Sequence, residues 1–133
     1  AKRIYSFIID TNVFIKDSDI ISKVPQKHKT IIAAKVIDEL DKFKTNQQLK
    51  EVAGKCIKAI SKGKNIHRAK ANMKLLPVDF SKKSPDNMIL ATALMYKERN
   101  GVLITDDTGL QEKAKTVEMV VMSYNEFLTK FIK

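Results

Sequence analysis

The chain has 133 residues, 44% of them hydrophobic, one cysteine and a formal charge of +10. That size and apolar content suit one domain, spanning residues 1–133, with a core of its own. A lone Cys56 excludes an intrachain disulfide and a cysteine-built zinc cluster; no stretch reaches the ~20 apolar residues of a membrane span, and the N-terminus lacks a long apolar signal region, so a cytoplasmic location without membrane attachment is expected.

Ile4 to Ile9 is nearly all apolar and β-rich, which predicts a strand buried on both faces, as in a parallel sheet. The run ends abruptly at Asp10-Thr11-Asn12, which read locally as a turn or cap. Thr30 to Ala33 reads as a second strand and leads into a helix over 35–44, with Val36, Ile37, Leu40 and Phe43 on one face. A longer helix is predicted over 47–62. Leu49, Val52, Ala53, Cys56, Ile57 and Ile60 follow helical spacing, Gly63 stops it, and Cys56 reads as a buried structural thiol.

Ile66 to Ala71 suggests a short helical turn, and Leu75 to Val78 a strand that Pro77 confines to an edge or a strand start. Ser84-Pro85 opens a helix, serine as N-cap and proline at its first position, running to about Arg99 before Asn100-Gly101. Val102 to Ile104 is a short buried strand, Thr108 to Lys115 a helix, Met119 to Met122 a strand, and Ser123 caps a last helix reaching the C-terminus. Strands alternating with helices predict an α/β fold, three layers α/β/α around a central, mostly parallel sheet.

The charge is localised. From Lys42 to Lys74 there are ten basic residues against the single acid Glu51, so this window carries +9 of the +10. A basic face of this kind suits a polyanion, because lysines near phosphates release condensed counterions; a lysine-rich solvated helix face is the plainer alternative. Lys55, Lys58, Lys62, Lys64 and Arg68 are the candidate phosphate contacts.

The acids point to one place. In open α/β sheets the functional crevice lies beyond the carboxyl ends of the strands. Asp10 follows the first strand and Asp106-Asp107 follow Val102 to Ile104. Glu39 borders the apolar face of its helix, and Asp86, in phase with Ile89 and Ala93, is expected to lean inward from a first helical turn; the plainer readings are a solvated edge residue for Glu39, a first-turn dipole partner for Asp86 and a turn for Asp106-Asp107. Gathered carboxylates raise one another's pKa unless cations neutralise them, and an all-oxygen set suits Mg²⁺ or Mn²⁺. Such ions, singly or in pairs, activate water and clamp phosphate oxygens, so an acidic centre beside a basic arm is suited to metal-assisted phosphodiester cleavage.

Four segments carry a resemblance: I-I-D-T-N-V-F at 8–14, V-I-D-E-L-D-K-F at 36–43, S-P-D-N-M-I-L-A-T-A at 84–93 and L-I-T-D-D-T-G-L at 103–110. In this order and spacing they resemble the PIN domain family of metal-dependent ribonucleases. The first segment and E-L-D-K-F-K at 39–44 look closest to the PIN half of bacterial PhoH-like proteins. The resemblance implies metal-site carboxylates at Asp10, Glu39, Asp86 and Asp107, with Asp106 as a neighbouring acid, Thr105 as the threonine of the T-x-D segment, and Thr11 and Asn12 as supporting residues. Asp38 and Asp41 flank Glu39 but lie out of phase.

The implied activity is a Mg²⁺- or Mn²⁺-dependent endoribonuclease, using one or two ions on single-stranded RNA and leaving 5′-phosphate and 3′-hydroxyl ends. Implied partners are RNA, an inhibitory antitoxin-like protein or a fused ATPase domain, and a second copy of the chain. The alternatives are a structure-specific DNA nuclease of the flap type and a nucleic-acid-binding scaffold without cleavage. His28 and His67 lie outside the motifs and read as surface or packing residues, and no aromatic reading platform is expected from Tyr5, Phe43, Phe80 or Tyr96.

Overall fold

The computed structural model describes residues 3–132. Its centre is a five-stranded sheet in the order β3-β2-β1-β4-β5, with every pairing parallel. The strands are β1 (Ser6–Ile9), β2 (Lys29–Ala33), β3 (Ile66–Ala69), β4 (Gly101–Ile104) and β5 (Val121–Met122). The helices are α1 (Thr11–Lys16), α2 (Ile20–Lys23), α3 (Ala34–Phe43), α4 (Lys50–Lys62), α5 (Pro85–Leu94), α6 (Thr108–Thr116) and α7 (Tyr124–Phe131). Parallel strands need crossovers, and helices supply each one.

All four residues of β1 and all four of β4 are buried. Because alternate side chains of a strand face opposite sides, helices must cover both faces, which makes the fold three-layered. Phe7, Ile8, Ile9, Ile31, Ile32 and Leu103 are fully buried at its centre. Burial of each such side chain stabilises by roughly 1.5–3 kcal/mol, so the three central strands β2, β1 and β4 are held firmly. Phe7 also meets Phe127 and Phe131 of α7 edge-on, with ring centroids 5.2 and 4.9 Å apart.

The chain runs from β1 outward to β2 and β3, then returns across the sheet to β4. β1 and β4 are therefore neighbours from which the connections diverge, the place where crevices open in such sheets. Ile9 and Ile104 are register partners, so the residues that follow them leave the sheet level with one another.

Several expectations are corrected. Residues 66–69 form the edge strand β3, paired from Thr30↔Ile66 to Ala33↔Ala69, rather than a helical turn. Pairing with β2 decides this, since the segment alone has neither clear period. Leu75 to Val78 is not a strand: Met73–Leu75 is a 3₁₀ turn whose first backbone donors are met by Asn72, and Val78 is 96% exposed. The helix from Pro85 ends at Leu94; a 3₁₀ turn over Lys97–Arg99 follows, and Asn100 takes the left-handed conformation at φ 56°. Gly101 is then required, because a Cβ there would lie 2.5 Å from the Tyr96 carbonyl oxygen.

The stretch after β1 holds two short helices, α1 and α2, too brief to show a period. Ser123 caps α7 as expected, with a full capping box to Glu126; α7 ends at Phe131, and Lys133 lies outside the described residues. Among the described residues no helix is long and apolar enough to cross a membrane.

Cys56 is fully buried, and its thiol donates to the Phe14 carbonyl oxygen at 3.3 Å. Burial raises its pKa to about 11, so it packs rather than attacks. His28 is a packing residue, buried among Tyr5, Phe7 and Phe131, whereas His67 is exposed.

Candidate active site

Asp10 is the first residue after β1, and it is only 4% exposed. Both of its oxygens are engaged. Oδ1 accepts the Thr11 backbone N–H at 2.7 Å, so Asp10 is also the N-cap of α1. Oδ2 accepts the Thr105 hydroxyl at 2.6 Å. The local cap reading and the site reading of Asp10 thus hold together.

Thr105 and Thr11 link the acids to one another. The Thr105 hydroxyl also accepts the Asp107 backbone N–H at 3.0 Å, which fixes the turn leaving β4. Asp107 is the N-cap of α6, its Oδ1 accepting the Leu110 N–H at 3.0 Å. The Thr11 hydroxyl donates to Glu39 Oε1 at 2.6 Å, tying α3 to α1. Asp86 occupies the first turn of α5 beneath the Ser84 cap and Pro85.

These placements bring Asp10, Glu39, Asp86 and Asp107 to the walls of one open cleft of about 310 Å³, together with Thr11 and Asn12. The cleft lies at the carboxyl ends of β1 and β4. Its remaining walls are Ile15, Phe43 and Leu49. Phe43, expected to lie in the core, thus faces the cleft; its place at the end of the apolar face of α3, one turn beyond Glu39, is the signal that could have found it.

Asp106 is not brought into the cleft. Its Oδ2 accepts Lys16 Nζ at 3.1 Å and its Oδ1 accepts the Tyr124 N–H at 2.9 Å. Successive side chains on extended backbone point to opposite sides, so Asp106 and Asp107 diverge. Asn12 Oδ1 accepts the Asp106 N–H at 3.4 Å, bracing the two chain turns against each other. Asp38 is exposed and paired with Lys35 and Lys42, and Asp41 with Lys44.

The electrostatics follow from this crowding. Burial first, with help from the charges of Asp86 and Glu39, raises the Asp10 pKa to about 6, against the hydrogen bonds from Thr105 and Thr11. Burial and then the neighbouring Asp107 carboxylate raise the pKa of Asp86, with Lys113 opposing. Lys113 is held there by a 3.0 Å bond from its Nζ to Asn87 Oδ1; Asn87 is buried and anchored in turn to the Ser81 carbonyl oxygen.

A hard divalent cation fits this chemistry. The donors on offer are carboxylate, hydroxyl and amide groups, and a positive ion would relieve the repulsion that raises Asp10 and Asp86. Among the described residues no three acidic, histidine or cysteine side chains converge closely enough to hold an ion by themselves. The acids line the cleft rather than meeting at a point, which suits an ion that keeps several waters and takes one or two carboxylates.

The basic residues lie along and beyond α4. Lys55, Lys58 and Lys62 line a groove on its exposed face. Lys64 borders a second cavity, and Arg68 lies on the edge strand β3 with its guanidinium donating to the Ile60 carbonyl oxygen at 3.4 Å. None of them reaches the carboxylate cleft.

Solved structures share this fold. The T. brucei RRP44 PIN domain matches with a TM-score of 0.60 at 9% identity, over 96% of this chain and 80% of that one. VapBC-1 from nontypeable Haemophilus influenzae matches at 0.59 and 15% identity, over 92% and 99%. The PIN domain endonuclease Utp24 matches at 0.51 and 17% identity, over 90% and 84%. No curated protein matches the sequence. The family model for the PIN domain matches residues 7–125, a span that runs from within β1 into α7 and holds all four acids of the cleft. The chain belongs to the PIN domain family.

Proposed function

We propose that the protein is a Mg²⁺- or Mn²⁺-dependent endonuclease acting on single-stranded RNA, with residues 1–133 working as one nuclease unit. The observation that carries this reading is the gathering of Asp10, Glu39, Asp86 and Asp107, from separate elements, around one cleft at the β1/β4 crevice. Asp10, Asp86, Asp107 and Glu39 would hold one or two ions, and Asp106 is left out because it turns away from the cleft toward Lys16 and Tyr124. A bound ion supplies an activated water and charge neutralisation at the phosphate.

The chain's own residues have defined parts in this. Thr105 and the Thr11 N–H hold the Asp10 carboxylate in one orientation. The Thr11 hydroxyl does the same for Glu39, and Asn12 stands at the rim within reach of a phosphate oxygen. Ile15, Phe43 and Leu49 supply an apolar wall for a base next to the scissile bond. The lysines of α4 lie outside the cleft, where they can hold the backbone of a longer strand.

The likeness to the PIN domain endonuclease Utp24 supports the reaction class, and an antitoxin-like inhibitory protein is the partner that the family resemblance implies. The likeness to PhoH-like PIN halves, and a fused ATPase with it, rests on the first segment and E-L-D-K-F-K at 39–44 alone. The solved relatives add nothing to that point.

The deciding experiment is a digest of RNA and DNA oligonucleotides with Mn²⁺, comparing the wild type, Asp10→Asn and the wild type in EDTA, with product ends mapped. The expected result is RNA cleavage leaving a 5′-phosphate, lost in the variant and on chelation. Full activity in EDTA, or in Asp10→Asn, would sink the reading; preferential DNA cleavage would replace the substrate.

A further inference from the structure

Helix α4 begins beside the acidic cleft and carries free cations from its middle to its far end. Leu49, just before α4, lines the acidic cleft beside Ile15 of α1. Lys62, the last residue of α4, lines a cavity of about 360 Å³ together with His28 and Thr30, at the amino end of β2. The cleft and this cavity are therefore at opposite poles of the sheet. α4 has thirteen residues, which spans ~20 Å between them.

A groove opens from this cavity and runs along α4 in the direction of the cleft, stopping short of it. Lys55, Lys58 and Lys62 form its floor, and Ser18 and Asp19, between α1 and α2, form its far wall. Asp19, Ala59 and Lys62 belong to both the groove and the cavity, so the two are continuous. The lysines stand at i, i+3 and i+7, on one face of the helix. Lys42 and Lys44 are neutralised by Asp38 and Asp41, whereas among the described residues Lys55, Lys58, Lys62 and Lys64 enter no salt bridge. Asp19 is the one acid in the groove.

We propose that the single-stranded RNA substrate runs from the cleft along the seam between α4 and the α1–α2 segment, and that the cavity at the far end receives the base of a nucleotide remote from the scissile bond. The ligand's identity rests on the nuclease reading above. Lys55, Lys58 and Lys62 face the phosphates. Ile21, Val24 and Pro25 give the cavity apolar walls suited to the flat faces of a base, and Lys64 stands at its rim. His28 supplies a polar group to that wall. Its Nδ1 accepts the Tyr5 N–H at 3.0 Å, so the neutral ring carries its hydrogen on Nε2. The span implies a footprint on the order of four nucleotides, at the short end for single-strand binders.

The test is fluorescence anisotropy with labelled single-stranded RNA, from dinucleotide to octanucleotide, on the full chain in EDTA. Affinity should rise with length and level off near the footprint. Lys58→Glu combined with Lys62→Glu, both at exposed positions, should weaken octanucleotide binding by about tenfold or more and leave the dinucleotide little changed. Gln26→Trp, at an exposed position in the cavity wall, should remove only the last increment of affinity. Octanucleotide binding unchanged by the double reversal, or the last increment surviving Gln26→Trp, would overturn the track. Because the readout is binding without metal, track binding with no cleavage under Mn²⁺ counts against the nuclease reading alone.

Discussion

Thr105 donates its hydroxyl hydrogen to Asp10 Oδ2 at 2.6 Å, joining two residues 95 positions apart. The register pair Ile9↔Ile104 brings them level, and each is the next residue out of its strand. The Thr105 hydroxyl oxygen in turn accepts the Asp107 N–H, so one buried hydroxyl orients two of the four acids. Replacing it by valine removes the donor and the acceptor together and leaves Asp10 and the Asp107 N–H without those partners. The expected destabilisation is about 1–3 kcal/mol. Thr105→Val should also weaken the stabilisation by Mn²⁺, while Thr105→Ser retains it; thermal unfolding with and without the ion measures both.

Asp10 itself should cost stability at neutral pH. Its folded pKa is raised from 3.8 to about 6, so the folded protein binds the proton more tightly than the unfolded chain does. That contribution is fully present below about pH 4 and is lost as pH rises through about 6, a difference on the order of 3 kcal/mol. Metal-free Asp10→Asn is therefore expected to melt higher than the wild type at pH 7.5, with the gap closing toward pH 4. Equal melting temperatures at both pH values would contradict the buried-carboxylate account.

Divalent metal should reverse that ranking. A cation bound by the acids of the folded state stabilises the wild type by an amount that grows with the logarithm of its concentration, about 2.7 kcal/mol at a hundredfold excess over Kd. Asp10→Asn and Asp86→Asn should lose this rise in melting temperature. Acidification below about pH 6 should also weaken it in the wild type, since protons compete for Asp10. An Mn²⁺ shift that survives both substitutions would place the ion elsewhere.

The basic face of α4 is expected to act through phosphate charge. Lys55→Gln, Lys58→Gln and Lys62→Gln together should flatten the salt dependence of RNA binding, by a slope of roughly 0.7 for each phosphate of a single strand that is no longer neutralised. A slope equal to that of the wild type would show that these lysines are only solvated.

Phe43 should contribute to substrate binding. Stacking of a base on an aromatic ring is worth about 1–3 kcal/mol, and Phe43 is the aromatic residue of the cleft wall. Phe43→Ala is expected to raise KM with kcat little changed, while Phe43→Tyr restores KM; initial rates against RNA concentration distinguish these. An unchanged KM in Phe43→Ala would return Phe43 to packing alone.

Much of this arrangement is legible in residue order, and for a local reason. β1 and β4 are apolar runs buried on both faces, and a carboxylate directly after such a run needs no tertiary information to be placed at a strand end. Helical phase does the same for Glu39 and Asp86, and Ser84-Pro85 and Ser123 mark two helix starts through their own side chains. Segment 66–69 is not legible in this way, because an edge strand takes its conformation from its neighbour: Ile66 and Ala69 are half-buried while His67 and Arg68 between them are exposed, which matches no clean period.

The sequence by itself therefore determined the fold class, the central strands, and which acids stand at strand ends and helix starts, because those are set by hydrophobic period and nearest-neighbour hydrogen bonds. Only the tertiary structure decided that Asp106, the neighbour of Asp107, turns to Lys16 and Tyr124, that Phe43 is a wall of the site, and that the lysines of α4 line a groove toward the opposite pole. Each of those depends on contacts between residues far apart in the chain, where strand register and helix packing fix the partner and local preference has no hold.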